Sequence, residues 1–168
     1  MKTMNLKMAS FLGAALFLSA SVPGRILAHE AECPHCELDI VQNTPEQDNE
    51  TAIQYGKKRI EYRCVFCAVA DAEKSYTGDL TVLAPSEVKG KPIQIARKGG
   101  QWSAPEGTVF VGKKVKHRYC ETAYRAFTTK AAFDAHVKKN RVLLKDARPM
   151  TLAEMLEISR ADISQETK

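Results

Sequence analysis

TAIQYGKKRIEYRCVFCAVADAEKSY, residues 51–76, holds the change of periodicity on which the fold turns. Thr51 to Tyr55 and Arg59 to Arg63 alternate in the two-residue period of half-buried strands, and Gly56-Lys57-Lys58 between them is a hairpin signal. At Cys64 the period changes. Cys64 to about Tyr76 places apolar residues at 65, 66, 69, 70 and 72, the pattern of a short helix with one buried stripe. Gly78 ends it and Leu80 to Ala84 reads as a further strand, so the stretch predicts a β-β-α-β unit.

The same order returns towards the C-terminus. Pro92 to Arg97, Thr108 to Val111 and Thr122 to Phe127 read as strands, and Thr128-Thr129 is a helix-cap pair. Lys130 to about Lys139 is helical and Arg141 to Lys145 predicts a strand. Glu61-Tyr62-Arg63 and Asp71-Ala72 are echoed by Ala123-Tyr124-Arg125 and Asp134-Ala135, at an offset of 62 to 63 residues. The expectation is therefore an α+β fold of two β-β-α-β units related by a weak internal duplication. Pro149 breaks the chain, Thr151 caps a C-terminal helix to about Ile158, and residues 159–168 form a polar tail.

Upstream, Lys2 and Lys7 precede the apolar run Phe11 to Ala20, which is too short for a membrane span but suits a secretory signal peptide. Cleavage is expected after Ala28, with Ser21 as the alternative, and no lipidation box is present. Residues 1–28 then form the signal, 29–50 an irregular arm rich in Asn, Gln, Asp, Glu and Pro, and 51–158 the α+β domain. The signal carries Lys2, Lys7 and Arg25 and no acid, so its removal lowers the net charge from +5 to +2. So balanced a charge argues for neither nucleic acid nor a membrane surface as a partner. The basic run Lys113, Lys114, Lys116 and Arg118 reads as a solvated strand edge, with an acidic partner as the other reading.

Five cysteines remain: Cys33, Cys36, Cys64, Cys67 and Cys120. Cys33-Pro34-His35-Cys36 and Cys64-Val65-Phe66-Cys67 each let two sulfurs turn to one ion, and thiolate softness selects Cu(I) or Zn(II) over hard cations. The gap between the pairs exceeds that of a zinc ribbon, but the hairpin between them can bring its ends together. Cys64 and Cys67 stand at a helix N-terminus, where free N–H groups and the dipole favour thiolate. Two disulfides are the plain alternative in an oxidising compartment. Cys-Pro-His-Cys is also the motif of oxidising thiol–disulfide exchangers, though no strand precedes it and no convincing helix follows. Cys120, in Lys116-His117-Arg118-Tyr119-Cys120, is a further direct or supporting ligand. Of the histidines, His35 and His117 are possible ligands and His136, mid-helix, the least suited.

With these residues in place, the chain resembles the NosL family, copper-binding accessory proteins of nitrous oxide reductase maturation, over about residues 31 to 158. The family's early Cys-x-x-Cys-Gly-Met reads here Cys33-Pro34-His35-Cys36-Glu37-Leu38, and its hairpin into a helix reads Lys58 to Cys64. A late methionine-bearing turn corresponds to Tyr119-Cys120-Glu121, and a Pro-Phe-x-(Ser/Thr) strand end with an Ala-rich helix to Ala126 to Phe133. The resemblance implies copper ligation at the positions of Cys33, Cys36 and Cys120, with Cys64 and Cys67 additional. Members are typically lipoproteins, which this chain is not expected to be.

The reading is a periplasmic Cu(I) chaperone or copper-site assembly factor, not an enzyme, with Zn(II) as the alternative metal. Its partner is a cuproprotein or other metalloprotein client; neither nucleic acid nor a membrane span of the mature chain is expected. A thiol–disulfide oxidoreductase and a structural four-cysteine zinc module are the rival functions.

Overall fold

The computed structural model describes residues 32–40, 49–112 and 125–166, with side chains described as far as residue 161. The signal segment, the basic run and Cys120 lie outside the described residues. The chain is α+β, as expected. It runs β1 (Ala52–Tyr55), β2 (Lys58–Glu61), α1 (Val65–Ser75), β3 (Leu80–Ala84), β4 (Ile93–Lys98), β5 (Gln101–Ser103), β6 (Val109–Gly112), β7 (Ala126–Phe127), α2 (Lys130–Lys139), β8 (Arg148–Met150) and α3 (Leu152–Glu166).

The strands form two antiparallel sheets, ordered β2-β1-β3-β4-β5 and β7-β6-β8. Each contains the same device. A hairpin (β1–β2, β6–β7) is followed by a helix, and the next strand returns to pair with the hairpin's first strand. The two halves thus share both the order β-β-α-β and the sheet order 2-1-3. Pro92 to Arg97 was expected to open the second unit, but β4 pairs with β3 in the first sheet, and the β4–β5 hairpin, of which β5 was not foreseen from the sequence, extends the first unit. It turns at Gly99-Gly100, where φ of 53° and 78° needs no Cβ to be accommodated.

Two further elements differ from expectation. Arg141 to Lys145 is a succession of turns, and the closing strand of the second unit is Arg148–Met150. Alternation would have buried Val142 together with Leu144. Instead Leu144 donates its N–H to Asn140 O at 2.9 Å, continuing the turn at the end of α2, and it alone enters the core. The C-terminal helix also runs through the polar end to Glu166. It starts on a capping box: Thr151 Oγ1 accepts from Glu154 N at 3.2 Å while Thr151 N donates to Glu154 Oε2 at 2.7 Å. Among the described residues no helix is long and apolar enough to cross a membrane.

Helix α1 decides where the chemistry sits. A single stripe was expected, yet Val65 to Ala72 are all buried, because the helix lies against β1 and β3 on one side and α3 on another. Such an all-round apolar helix is a core helix. Its last carbonyls are held by the buried Arg97 of β4, whose Nη1 donates to Ala72 O at 2.5 Å and whose Nη2 donates to Tyr76 O and Gly78 O, each at 3.0 Å. Hydrogen bonds from a charged donor contribute about 1.5–3 kcal/mol apiece, so this side chain is a large part of what fixes the helix. At mid-helix the buried Asp71 accepts from Tyr62 Oη and Ser75 Oγ, both at 2.5 Å. Burial and the neighbouring carboxylate hold the Tyr62 phenol protonated, and so a donor.

Candidate metal centre

Tyr62, anchored through Asp71, ends the hairpin and delivers Arg63 and Cys64 to the N-terminus of α1. Cys64 is the N-cap, with extended backbone (φ −153°, ψ 165°), and Ala68 N donates to its carbonyl at 3.2 Å. Cys67 lies in the first turn. The i, i+3 spacing puts both sulfurs at the same end of the helix, and Cys64 Sγ donates to Cys67 Sγ at 3.4 Å.

The first pair is brought to that helix end by the arm. Residues 32–40 fold into a small loop closed by a bridge between Glu32 and Asp39, with Cys33 N donating to Leu38 O and Glu37 N donating to Cys33 O, both at 2.9 Å. Glu37 completes the reversal with a φ of 56°, left-handed backbone that glycine adopts at least cost. It is the position at which the resembled family carries glycine. Three contacts dock the loop on the domain. Arg63 Nη1 donates to Asp39 O at 2.7 Å, the His35 ring meets Phe66 edge-on at 6.2 Å, and Ile40 joins the core.

The result is a cluster of sulfurs. The Sγ atoms of Cys33, Cys36 and Cys67 all lie within 4.8 Å of one another, and all three residues are at most 2% exposed. Three sulfurs at about 2.3 Å from one ion in a flat triangle stand about 4.0 Å apart, so a soft ion fits after a small contraction. Cys64 stands beside this set without belonging to it. Among the described residues no histidine or carboxylate joins it either, and a site without oxygen ligands does not suit Mg²⁺ or Ca²⁺. No disulfide joins these four cysteines. His136 lies elsewhere, tilted on Phe127 at a ring distance of 5.0 Å, and burial, then Arg125 and Lys139, push its pKa down.

The electrostatics divide the first pair. Cys33 is lowered from 9.0 to about 5, first by the S–H of Cys67, then by the backbone N–H groups of Arg63, Cys36 and His35, against the opposing effect of burial. Burial is the main cause that pushes Cys36 up, and the charge on Cys33 acts in the same direction. Sequence reasoning expected the helix N-terminus to make the thiolate among its own cysteines. The structure makes it at Cys33, with Cys67 of that helix as the donor, so donation runs Cys64 to Cys67 to Cys33. A metal arriving at neutral pH meets one ready thiolate and displaces protons from the other two.

This division fixes a pH dependence. A depressed folded pKa gives stability that is fully present above the unfolded value of 9.0 and is lost as pH falls through about 5. In the metal-free protein, thiolate ultraviolet absorbance is expected to show a step near pH 5 that is absent from Cys33→Ser. Cys67→Ala removes the leading donor and should move that step to higher pH. An unchanged midpoint in Cys67→Ala refutes the donor role.

Sequence reasoning missed Arg63, which holds the arm. Its place directly before Cys64 was the available signal.

No known protein family matches the sequence, and no curated protein matches it. Among solved structures, the chain is similar to the mercury-bound form of MerB2, at a TM-score of 0.53 and 15% identity. The similarity covers 66% of this chain and 56% of that one, so the chain spans little more than half the length of that neighbour. At this identity the likeness is one of fold.

Proposed function

We propose that the chain is an exported handler of soft metal ions that carries Cu(I) on Cys33, Cys36 and Cys67 and yields it to a metalloprotein client. The observation that carries the reading is the buried triangle of three cysteine sulfurs, and the lowered pKa of Cys33 agrees with it. Cu(I) is satisfied by two or three thiolates, whereas structural Zn(II) takes four ligands in a closed tetrahedron. With Cys64 outside the mutual set, the trigonal ion suits this geometry better. A neighbouring fold whose structure holds mercury, another thiol-seeking ion, supports the soft-metal class. The resemblance to copper accessory proteins supports copper within it, and the apolar N-terminal run supports the periplasm as the compartment. In this mechanism the arm supplies two sulfurs and the helix one. Client ligands displace them one at a time, and no substrate is turned over.

The thiol–disulfide rival has one observation in its favour, the asymmetric Cys33–Cys36 pair. Against it stands the setting. Among the described residues the Cys33–Cys36 loop neither follows a buried strand nor opens a helix.

The test is X-ray absorption at the metal edge of protein purified without oxygen and loaded with Cu(I). One copper per chain with three sulfur neighbours at about 2.3 Å is expected. Tightly held zinc with four sulfurs, and no uptake of Cu(I), would replace this reading with the structural zinc module. Sustained turnover in an insulin-reduction assay would replace it with the oxidoreductase.

A further inference from the structure

The turn that follows α2 exposes apolar surface. Asn140 closes the helix by donating its N–H to His136 O and Val137 O, Leu144 N returns to Asn140 O at 2.9 Å, and Ala147 N donates to Leu144 O at 3.0 Å. These overlapping turns send Leu144 inward against Val111, Phe127 and Phe133 and leave its two predecessors outside. Val142 is 85% exposed and Leu143 is 71% exposed. They are adjacent, so the turn carries two exposed aliphatic side chains at its tip. Lys138, Lys139, Arg141 and Lys145 flank it in sequence, all exposed, and Asp146 is the one acid between residues 138 and 146.

We infer that this tip is a docking point on an anionic lipid surface. Val142 and Leu143 enter the boundary between headgroups and acyl chains, and the four cations meet lipid phosphates. An apolar point within a collar of Lys and Arg is the arrangement that interfacial anchors use. A stable protein interface asks for something else, about 800 Å² per partner with an apolar centre depleted of charge. Two aliphatic side chains on a tight convex turn do not provide such a centre. Near an anionic surface each Lys or Arg adds about fivefold to binding, and salt removes that gain. The association is therefore reversible and salt-sensitive. The inference does not depend on the metal site, since no residue of the tip belongs to it.

Leu143→Trp in the full chain reads the tip directly. The emission of the added tryptophan, taken as the difference from the parent chain with its Trp102, should shift to the blue with vesicles of phosphatidylcholine and phosphatidylglycerol. It should not shift with phosphatidylcholine alone, and salt should reverse it. Any binding through the apolar segment Phe11 to Ala20 is common to both chains and does not bury residue 143. Lys138→Gln and Lys139→Gln should each weaken the response about fivefold. These sites are exposed, so the variants fold, and unchanged circular dichroism verifies it. No shift, an equal shift on neutral vesicles, or a shift indifferent to salt and to both lysine variants overturns the inference. Retention of the parent chain on immobilised polyglutamate without any vesicle response overturns it in favour of an acidic protein partner.

Discussion

Cys67→Ser is expected to lower Cu(I) affinity at least about a hundredfold in a chelator competition, since losing even an outer-shell partner of a metal site costs about 10–100-fold. Cys33→Ser and Cys36→Ser should fall in the same range, because each supplies one corner of the same triangle. The loss should leave the fold intact. A serine hydroxyl is close in size to the thiol it replaces, and α1 is held by Arg97 and by the Tyr62–Asp71 bond, neither of which involves sulfur. Cys64→Ser is the control that gives the series its meaning. Its sulfur donates to Cys67 at 3.4 Å but lies outside the mutual set, so its loss should cost about 10–100-fold, less than the loss of any corner of the triangle. Cys120→Ser should also have a smaller effect on affinity, with the rate of transfer as its readout. Equal losses at Cys33, Cys36, Cys64 and Cys67, accompanied by collapse of the circular dichroism, would mean a closed four-sulfur zinc site that holds the fold together, and the trigonal reading would fail.

The two pairs were legible in the sequence because Cys-x-x-Cys spacing is a local constraint, and α1 because its period changes abruptly at Cys64. The division of labour among the cysteines was not legible. It depends on how a loop without periodicity lies across a helix end, and that is decided by Arg63 reaching Asp39 O and by His35 resting on Phe66. Neither contact leaves a pattern in the chain. The position of the thiolate was hidden for the same reason. A helix N-terminus suggests ionisation of its own cysteines, whereas Cys67 spends its proton on a sulfur 34 residues upstream, Cys33. The error at Arg141 to Lys145 has another origin. Three aliphatic residues between two cations fit a strand or a turn equally well, and the hydrogen bond from Leu144 N to Asn140 O settles the matter only in three dimensions. The repeat fared better, since the two units share a sheet order, although Tyr124 of the echo lies outside the described residues and the closing strand of the second unit falls later than expected.

Mild oxidation of the metal-free protein is expected to abolish high-affinity Cu(I) binding, and Cys64→Ser is expected to prevent that loss. Cys64 and Cys67 already stand with their sulfurs 3.4 Å apart, and a disulfide bond needs about 2.05 Å, so a small rotation of two side chains closes the gap. With diamide as oxidant, the two thiols lose two protons and two electrons to the reagent and the new bond joins Cys64 to Cys67. The triangle then retains only Cys33 and Cys36, and affinity should drop at least about a hundredfold, as for loss of Cys67 itself. Cys33 should also lose its leading proton donor, so the thiolate step should move to higher pH in the oxidised protein. In Cys64→Ser the near partner is absent and Cys67 stays available, so binding should survive the same treatment. Peptide mapping identifies the bond. If it joins Cys33 to Cys36, or if Cys64→Ser protects nothing, Cys64 has no part in controlling the site. If the mapping agrees, bound Cu(I) and the disulfide compete for one sulfur, Cys67. Metal-loaded protein should then resist diamide in proportion to its occupancy, which ties the redox state of the compartment to the amount of metal the chain can hold.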